Sequence, residues 1–546
     1  MSKTGDKVVL IKITNVKGNA TPAVVRALAD IKKVGGGELH FEKGEYHFYK
    51  EGTEKGFFAV SNNSACDKYM VFPLLVMENV VIDGHGSLFV FHELVFPFMV
   101  SGSKNVTLRN FTVDIGMSPL VNFKLHGISD EGFYMDIDRK ESPFYVENGS
   151  INFKRESGVW YGRKHLLSLH AIGRHQVQYL ATGKNEVNPA NLPAPHMKCD
   201  VSETDTGIYV KYQSDTPYKC KFGEEMLSAI IDGGRNVDVI CLDNSEEIDI
   251  SCVTVARGIG MGIIGQLSKN IRIDSFSTDT SYHGNGHQTL TADALHFVNC
   301  DGVLEIKNCK ISDTMDDAVN VHGMYTVLTG VEEDHVCAKI MHREQYFFNP
   351  YREGDMLTVI DNVTLEEVAG FTVKACGFAP ESGTELLIHG EFNFGKEKVK
   401  EGFLIENPSR MPDLHMHHND FCNFPHNRIS GAGKIVVENN HFKNCHAALL
   451  SLDLARYWYE SGRIKHLIYR NNVLDNCDIT KRGAFIMIGV DGIPDDKAPK
   501  IHQRIEITNN RFINISGTAV RAGGVQEMIL EDNVFDSEGE DLIRVL

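Results

Sequence analysis

Tryptophan is nearly missing from this chain, with two in 546 residues. No run of about 18 apolar residues occurs, which excludes a membrane-spanning helix. The N-terminal MSKTGDKVVLIKI lacks the apolar core of a secretory signal, so the chain is cytoplasmic or has lost a leader. Basic residues are outnumbered, 55 to 73, for a net charge of −18. That balance disfavours nucleic acid, anionic membranes and polyanionic substrates, and fits a neutral or cationic ligand. The twelve cysteines include no CxxC pair, so a zinc site of the usual ligand spacing is not expected.

What is present is a repeat. At 42% hydrophobic and 23% charged, the composition is that of an ordinary soluble protein. Asn79 and Asn105 begin similar β-branched strands 26 residues apart. Later, Asn439-Asn440-His441-Phe442-Lys443-Asn444, Asn471-Asn472-Val473-Leu474-Asp475-Asn476 and Asn509-Asn510-Arg511-Phe512-Ile513-Asn514 share one pattern, with Asp532-Asn533-Val534-Phe535-Asp536 a degenerate copy. Asn tolerates left-handed backbone at coil corners and can stack in hydrogen-bonded ladders. Repeats of this length predict an all-β fold, a right-handed parallel β-helix or solenoid. Cys300, Cys309, Cys445 and Cys477 close coil motifs and read as buried thiols.

The rhythm breaks twice, where alternating polar and apolar runs predict two inserted antiparallel β-barrel-like subdomains. The organisation expected is a cap and first coils over 1–116, an insertion over 117–228, central coils over 229–323, a second insertion over 324–405 and final coils over 406–546. In the cap, Thr21-Pro22 starts a helix that Gly35-Gly36-Gly37 ends. The cap covers the open end of the first coil.

The chemistry concentrates between the insertions. Asp293-Ala294-Leu295-His296-Phe297 recurs 24 residues later as Asp317-Ala318-Val319-Asn320-Val321, preceded by Asp316. A 24-residue offset is about one coil, and adjacent strands lie about 4.8 Å apart. Three carboxylates should therefore crowd one patch, raising at least one pKa. Aligning Phe512 with Ile311 places Gly517-Thr518 opposite Asp316-Asp317; aligning Phe442 places Ala447-Ala448 there. A corner bend must turn both aspartates outward, because strict alternation would separate them. Glycoside hydrolysis uses such a cluster, and one rung plus a lateral step approximates the roughly 6.5–9.5 Å of inverting enzymes. A calcium site or a solvated corner is the competing reading.

An Asp followed by Asp-Asp one coil later looks like the polygalacturonase arrangement. The wider pattern resembles glycoside hydrolase family 110 more closely, through GGGELHF…KGEYHF, Phe96-Pro97-Phe98 before Asn105-Val106-Thr107-Leu108, TADALHF and DTMDDAVNVHG. The resemblance covers essentially the whole chain. It implies a bacterial exo-acting, inverting α-1,3-galactosidase acting on blood-group-B-type or linear α-1,3-galactosyl glycans, periplasmic or secreted, without cofactor or metal. Carried onto this chain, it makes Asp316 the general acid, with Asp293 and Asp317 holding and activating the water. Homo-oligomerisation is left open.

His296, Asn320 and His322 are candidates to hydrogen-bond sugar hydroxyls, against an ordinary surface role. Arg456 and Trp458 lie in an aromatic interruption of a coil, where Trp458 could stack on galactose or simply pack. His415, His417 and His418 lack acid or Cys partners at metal spacing. Polygalacturonases use a basic pair to hold substrate carboxylates. The next coil carries none, and Arg463-Ile464-Lys465 comes much later, favouring a neutral sugar. The alternatives are a polygalacturonase-like hydrolase, a Ca-dependent polysaccharide lyase and a non-catalytic glycan-binding solenoid.

Overall fold

Short apolar strands separated by Asn corners wind into a parallel β-helix in this computed structural model. The structure describes residues 9–546 apart from 15, 117–119, 155–159, 165, 172–176, 183–195, 231–236, 284–287, 393–394, 396–397, 455–456, 480–482 and 537–541. Each coil contributes to three stacked faces. The first face includes Lys269–Asp274, Asp301–Lys307, Asp413–His417, Lys434–Glu438, His466–Arg470 and His502–Thr508. The second includes Lys310–Ser312, Val473–Cys477 and Arg511–Ile513. The third stacks Phe96–Ser101, Ile240–Asp243, Ile263–Gln266, Leu295–Val298 and Val319–Met324 in parallel register.

The period-2 pattern decides which residues enter the core. On the first face Leu304, Ile306, Leu414, Met416, Ile435, Val437, Leu467, Tyr469, Ile505 and Ile507 are all at most 1% exposed. Fully burying such a side chain stabilises by roughly 1.5–3 kcal/mol. Cys300, Cys309, Cys445 and Cys477 are buried too, and burial pushes the Cys300 and Cys309 thiols up to about 12, which makes them inert packing groups.

The two asparagines of the repeat divide the corner between them. Asn439, Asn471 and Asn509 take φ of +56° each, turning the chain. Their successors form the ladder. Asn419 Nδ2 donates to Asn440 Oδ1 at 2.9 Å, Asn440 to Asn472 at 3.0 Å, Asn472 to Asn510 at 3.1 Å and Asn510 to Asn533 at 3.0 Å. Each also donates to a backbone carbonyl, as Asn472 does to Val437 at 3.0 Å.

The helix Thr21–Lys33 buries Val24, Ala27, Leu28 and Ile31 over the first coils, with Pro22 in its first turn. Gly36 has φ +144°, and a Cβ there would meet the Glu78 carbonyl at 2.8 Å, so glycine is required. A hairpin that the sequence did not suggest, Glu54–Ala59 with Ala65–Leu75, projects from this end.

Both insertions are closed barrels. The first uses seven strands, Leu120–His126, Gly132–Ile137, Leu166–Ala171, Val177–Thr182, His196–Glu203, Gly207–Tyr212 and Met226–Ile230. Its final strand ends at Ile230, past the expected boundary at 228. The barrel is also not purely antiparallel, since Val177–Thr182 pairs in parallel with His196–Glu203. Parallel neighbours need a connection of about a dozen residues, and 183–195 supplies that length. The second barrel has six antiparallel strands, from Thr326–Val331 to Leu404–Glu406.

Candidate active site

The register puts Leu295 against Val319 and His296 against Asn320, so Asp293 and Asp317 occupy matching places on neighbouring rungs. The backbone ties them: Gly262 N–H donates to the Asp293 carbonyl and Ala294 N–H to the Asp317 carbonyl, both at 2.9 Å. The corner bend required by the sequence is present. Asp313 has φ +58°, the chain bends through Met315 and Asp316, and Met315 is buried. Thr314 Oγ1 donates to the Asp316 carbonyl at 2.7 Å, and Asp316 Oδ1 accepts from Asp317 N–H at 3.2 Å. Both side chains thereby line one cavity with Asp293.

One oxygen from each of Asp293, Asp316 and Asp317 lies within 4.8 Å of the others. The bend at Asp316 brings the third carboxylate to the other two. Asp293 and Asp317 are 4% and 5% exposed, while Asp316 is half-buried. Burial, then the charges of Asp293 and Asp316, raise the Asp317 pKa well above the usual carboxylate value, against the pull of Arg428. Ionising all three carboxyls at once is therefore disfavoured.

Flanking groups complete the floor. His426 Nδ1 sits 2.9 Å from Asp317 Oδ1. Arg428 Nε lies 3.9 Å from Asp317 Oδ2 and 3.6 Å from Glu460 Oε2. His296 Nδ1 is 2.6 Å from Asp293 Oδ2, and its Nε2 is 3.0 Å from His322 Nε2. Burial lowers the His322 pKa to about 4.

The cavity encloses about 650 Å³, and its walls come from distant segments. Asn62 belongs to the N-terminal hairpin, Tyr179 to the first barrel, and His342 and Glu344 to the loop after the second barrel's strand His335–Lys339. Tyr457, Trp458 and Glu460 follow the strand His441–Asp453. Asn62 Nδ2 donates to Glu460 Oε1 at 3.0 Å and locks two walls together. The Trp458 and His342 rings are 4.2 Å apart. Asn320 Oδ1 is buried without a hydrogen-bond partner among the described residues, an acceptor open to a donor in the cavity.

Of the sequence candidates, Asp293, Asp316, Asp317, His296, Asn320 and Trp458 line this cavity. His322 lies behind His296 and is not among the lining residues. Arg456 falls outside the described residues. Arg463 faces Asp453 and Glu367, away from the trio. Asn62, Tyr179, His342, His426, Arg428 and Glu460 were not read from the sequence. His426-Asn427-Arg428 could have been found by skipping the inserted barrel and continuing the coil count.

The alignment on Phe442 needs correcting by two positions. Val319 pairs with Asn427, Phe424 with Cys445 and His426 with Ala447, so continuing the register places Cys445-His446, not Ala447-Ala448, opposite Asp316-Asp317. The Gly517-Thr518 alignment holds, since Ala484 pairs with Thr518 and Ile486 with both Leu449 and Val520.

The trio is compact enough for a divalent cation, but imidazoles and a guanidinium already engage Asp293 and Asp317, an arrangement suited to proton handling. Elsewhere, Glu305, His415 and His417 converge, as do Asp334, His335 and His389. Neighbouring coils supply acids to the histidine run that the sequence alone did not reveal. Lys307 and Arg272 already pair with Glu305, at 2.9 and 3.0 Å.

Residues 400–545 match the family model described as a right handed beta helix region. Alpha-1,3-galactosidase A of Shewanella woodyi is 29% identical over 511 residues, covering 91% of this chain and 80% of its own. Alpha-1,3-galactosidase B of Bacteroides thetaiotaomicron is 25% identical over 522 residues, covering 90% and 80%. One of the same name from Phocaeicola vulgatus is 28% identical over 577 residues, covering 97% and 90%. Among solved structures, an exopolygalacturonase from Thermotoga maritima aligns over 99% of this chain and 92% of its own at 10% identity, with a TM-score of 0.35.

Proposed function

We propose that this chain is an exo-acting α-1,3-galactosidase that hydrolyses terminal galactose by general acid/base catalysis. The resemblance to glycoside hydrolase family 110 is borne out by relatives of that activity matching 90% or more of the chain. The observation that carries the reading to the site is the walled carboxylate trio. Its walls suit one terminal sugar. Arg428, the guanidinium that lines the cavity among the described residues, is engaged by Asp317 and Glu460. A uronate carboxylate would enter a cavity lined by five acids with that cation taken, which supports a neutral sugar over galacturonate.

The roles follow from exposure and partners. Asp316, the most exposed of the three, donates to the glycosidic oxygen. Burial makes Asp317 the reserve of the shared proton and an anchor for the water. Asp293 takes the proton of the water. The resemblance implies inversion.

The test is release of galactose from an α-1,3-galactosyl disaccharide, followed by proton NMR. Asp316→Asn should lose about 10²–10⁴-fold in rate. No release by the parent, or full release by the variant, overturns the proposal. A β-anomer formed first marks inversion; an α-anomer marks retention. EDTA should leave the rate unchanged, whereas a lyase-type calcium site would be abolished.

A further inference from the structure

We propose that His296 and His322 are positioning residues that confine one proton to the Asp293–His296 pair and so make Asp293 the water-activating base of the trio. This rests on the galactosidase reading above.

The argument is a proton inventory. His322 Nδ1 lies 2.6 Å from the Gly323 carbonyl, which can only accept, so this nitrogen carries a hydrogen. A buried neutral imidazole then has a bare Nε2. That lone pair faces His296 Nε2 at 3.0 Å, and two bare nitrogens cannot share such a contact. The hydrogen between them belongs to His296. The carboxylate that approaches His322 Nε2, Glu460, stays at 3.5 Å and takes its hydrogen bond from Asn62 instead. His296 is thus committed through Nε2, and the 2.6 Å contact from its Nδ1 to Asp293 Oδ2 holds one shared proton. The chain has a single direction, from Asp293 through both histidines to a backbone carbonyl that cannot titrate. Burial, which lowers His322 to about 4, supports the same assignment.

In hydrolysis, water oxygen bonds to the anomeric carbon as the glycosidic C–O bond breaks. The leaving oxygen takes the proton of Asp316, and the water gives its proton to the other oxygen of Asp293. The pair then holds two protons, as a carboxylic acid beside an imidazolium, and Asp316 is a carboxylate. Proton return from Asp293 to Asp316 restores the starting state. The charged groups facing the pair are Asp316 and Asp317 from the next coil, His426 and Arg428 from the one after, and Glu460 from the wall.

His296→Asn keeps an amide donor near Asp293 but supplies no charge. It should leave KM within about 3-fold, lower kcat by about 10–100-fold and move the acidic limb of the rate profile at least one pH unit upward. His322→Phe should shift that limb the same way by less. A histidine with only a packing role would lower activity without moving the limb, and a superimposable profile overturns the proposal. Nitrogen-15 NMR of the histidine-labelled parent should show His322 as the neutral Nδ1–H tautomer at pH 7. An imidazolium or an Nε2–H tautomer overturns the proposal, whatever the activity assay returns. Absence of galactose release with the Nδ1–H tautomer present refutes the substrate assignment and leaves the proton chain standing.

Discussion

Replacing Asp317 by Asn should destroy activity and stabilise the protein, increasingly so as pH rises. The carboxyl is pressed by Asp293 and Asp316, whose oxygens lie within 4.8 Å. With an effective dielectric of about 20, each such pair repels by about 3.5 kcal/mol when ionised. Arg428 at 3.9 Å returns about 4 kcal/mol. The net penalty for an ionised Asp317 is about 3 kcal/mol before burial is counted. Asn keeps the shape and can still accept from His426.

The sign follows from the raised pKa. Below the ordinary Asp range the carboxyl is protonated in folded and unfolded chains alike, and the two proteins should be equally stable. Above it the unfolded chain releases the proton and the folded one does not. Parent stability therefore falls relative to the variant until the folded carboxyl also ionises. For a chain of this length about 3 kcal/mol corresponds to about 2–3 °C. Calorimetric melts at pH 4, 6 and 8 should show a gap opening from near zero in favour of Asp317→Asn. A gap that narrows with pH, or a parent more stable at pH 8, would refute the electrostatic account.

Two further outcomes test the walls and the scaffold separately. Trp458→Ala removes a ring that lines the cavity against His342, and should lower kcat/KM by about 10-fold or more with melting unchanged, as measured by initial rates. Asn472→Ala breaks the ladder at both neighbours and orphans the Val437 carbonyl. It should cost about 2–4 kcal/mol in denaturant unfolding while sparing KM.

The sequence made the scaffold readable because one repeat is one rung. The doubled asparagines announced both a left-handed corner and a ladder, and Asn471 and Asn472 take one task each. The 24-residue offset announced that Asp293 and Asp317 stack, and the register agrees. The pocket walls were not readable by this route. Asn62 meets Glu460 across 398 residues of chain, and no local pattern encodes that contact. His426 reaches Asp317 across 109 residues because a barrel interrupts the count. The offset at Ala447 has a similar origin: Ile311 pairs with Phe421 but Val319 with Asn427, so the corner between them is two residues shorter in the later coil, which a motif anchored on Phe442 does not show.

The division between inward and outward positions explains why both readings come from the same few residues. In the coil that carries Asp293, Leu295 and Phe297 enter the core while His296 faces the cavity. One rung on, Val319 and Val321 enter the core while Asn320 faces the cavity. The fold constrains only the inward set, so the outward column is free to carry charge. Stacking then concentrates that charge, because identical positions recur about 4.8 Å apart. Along the column two acids are followed by two bases and then a further acid. Asp293 and Asp317 are followed by His426 on Asp317, then His446 against His426 at 5.0 Å between rings, then Asp478 at 3.9 Å. A run of acids alone would repel along the whole column. Bases on the next rungs confine the repulsion to the trio.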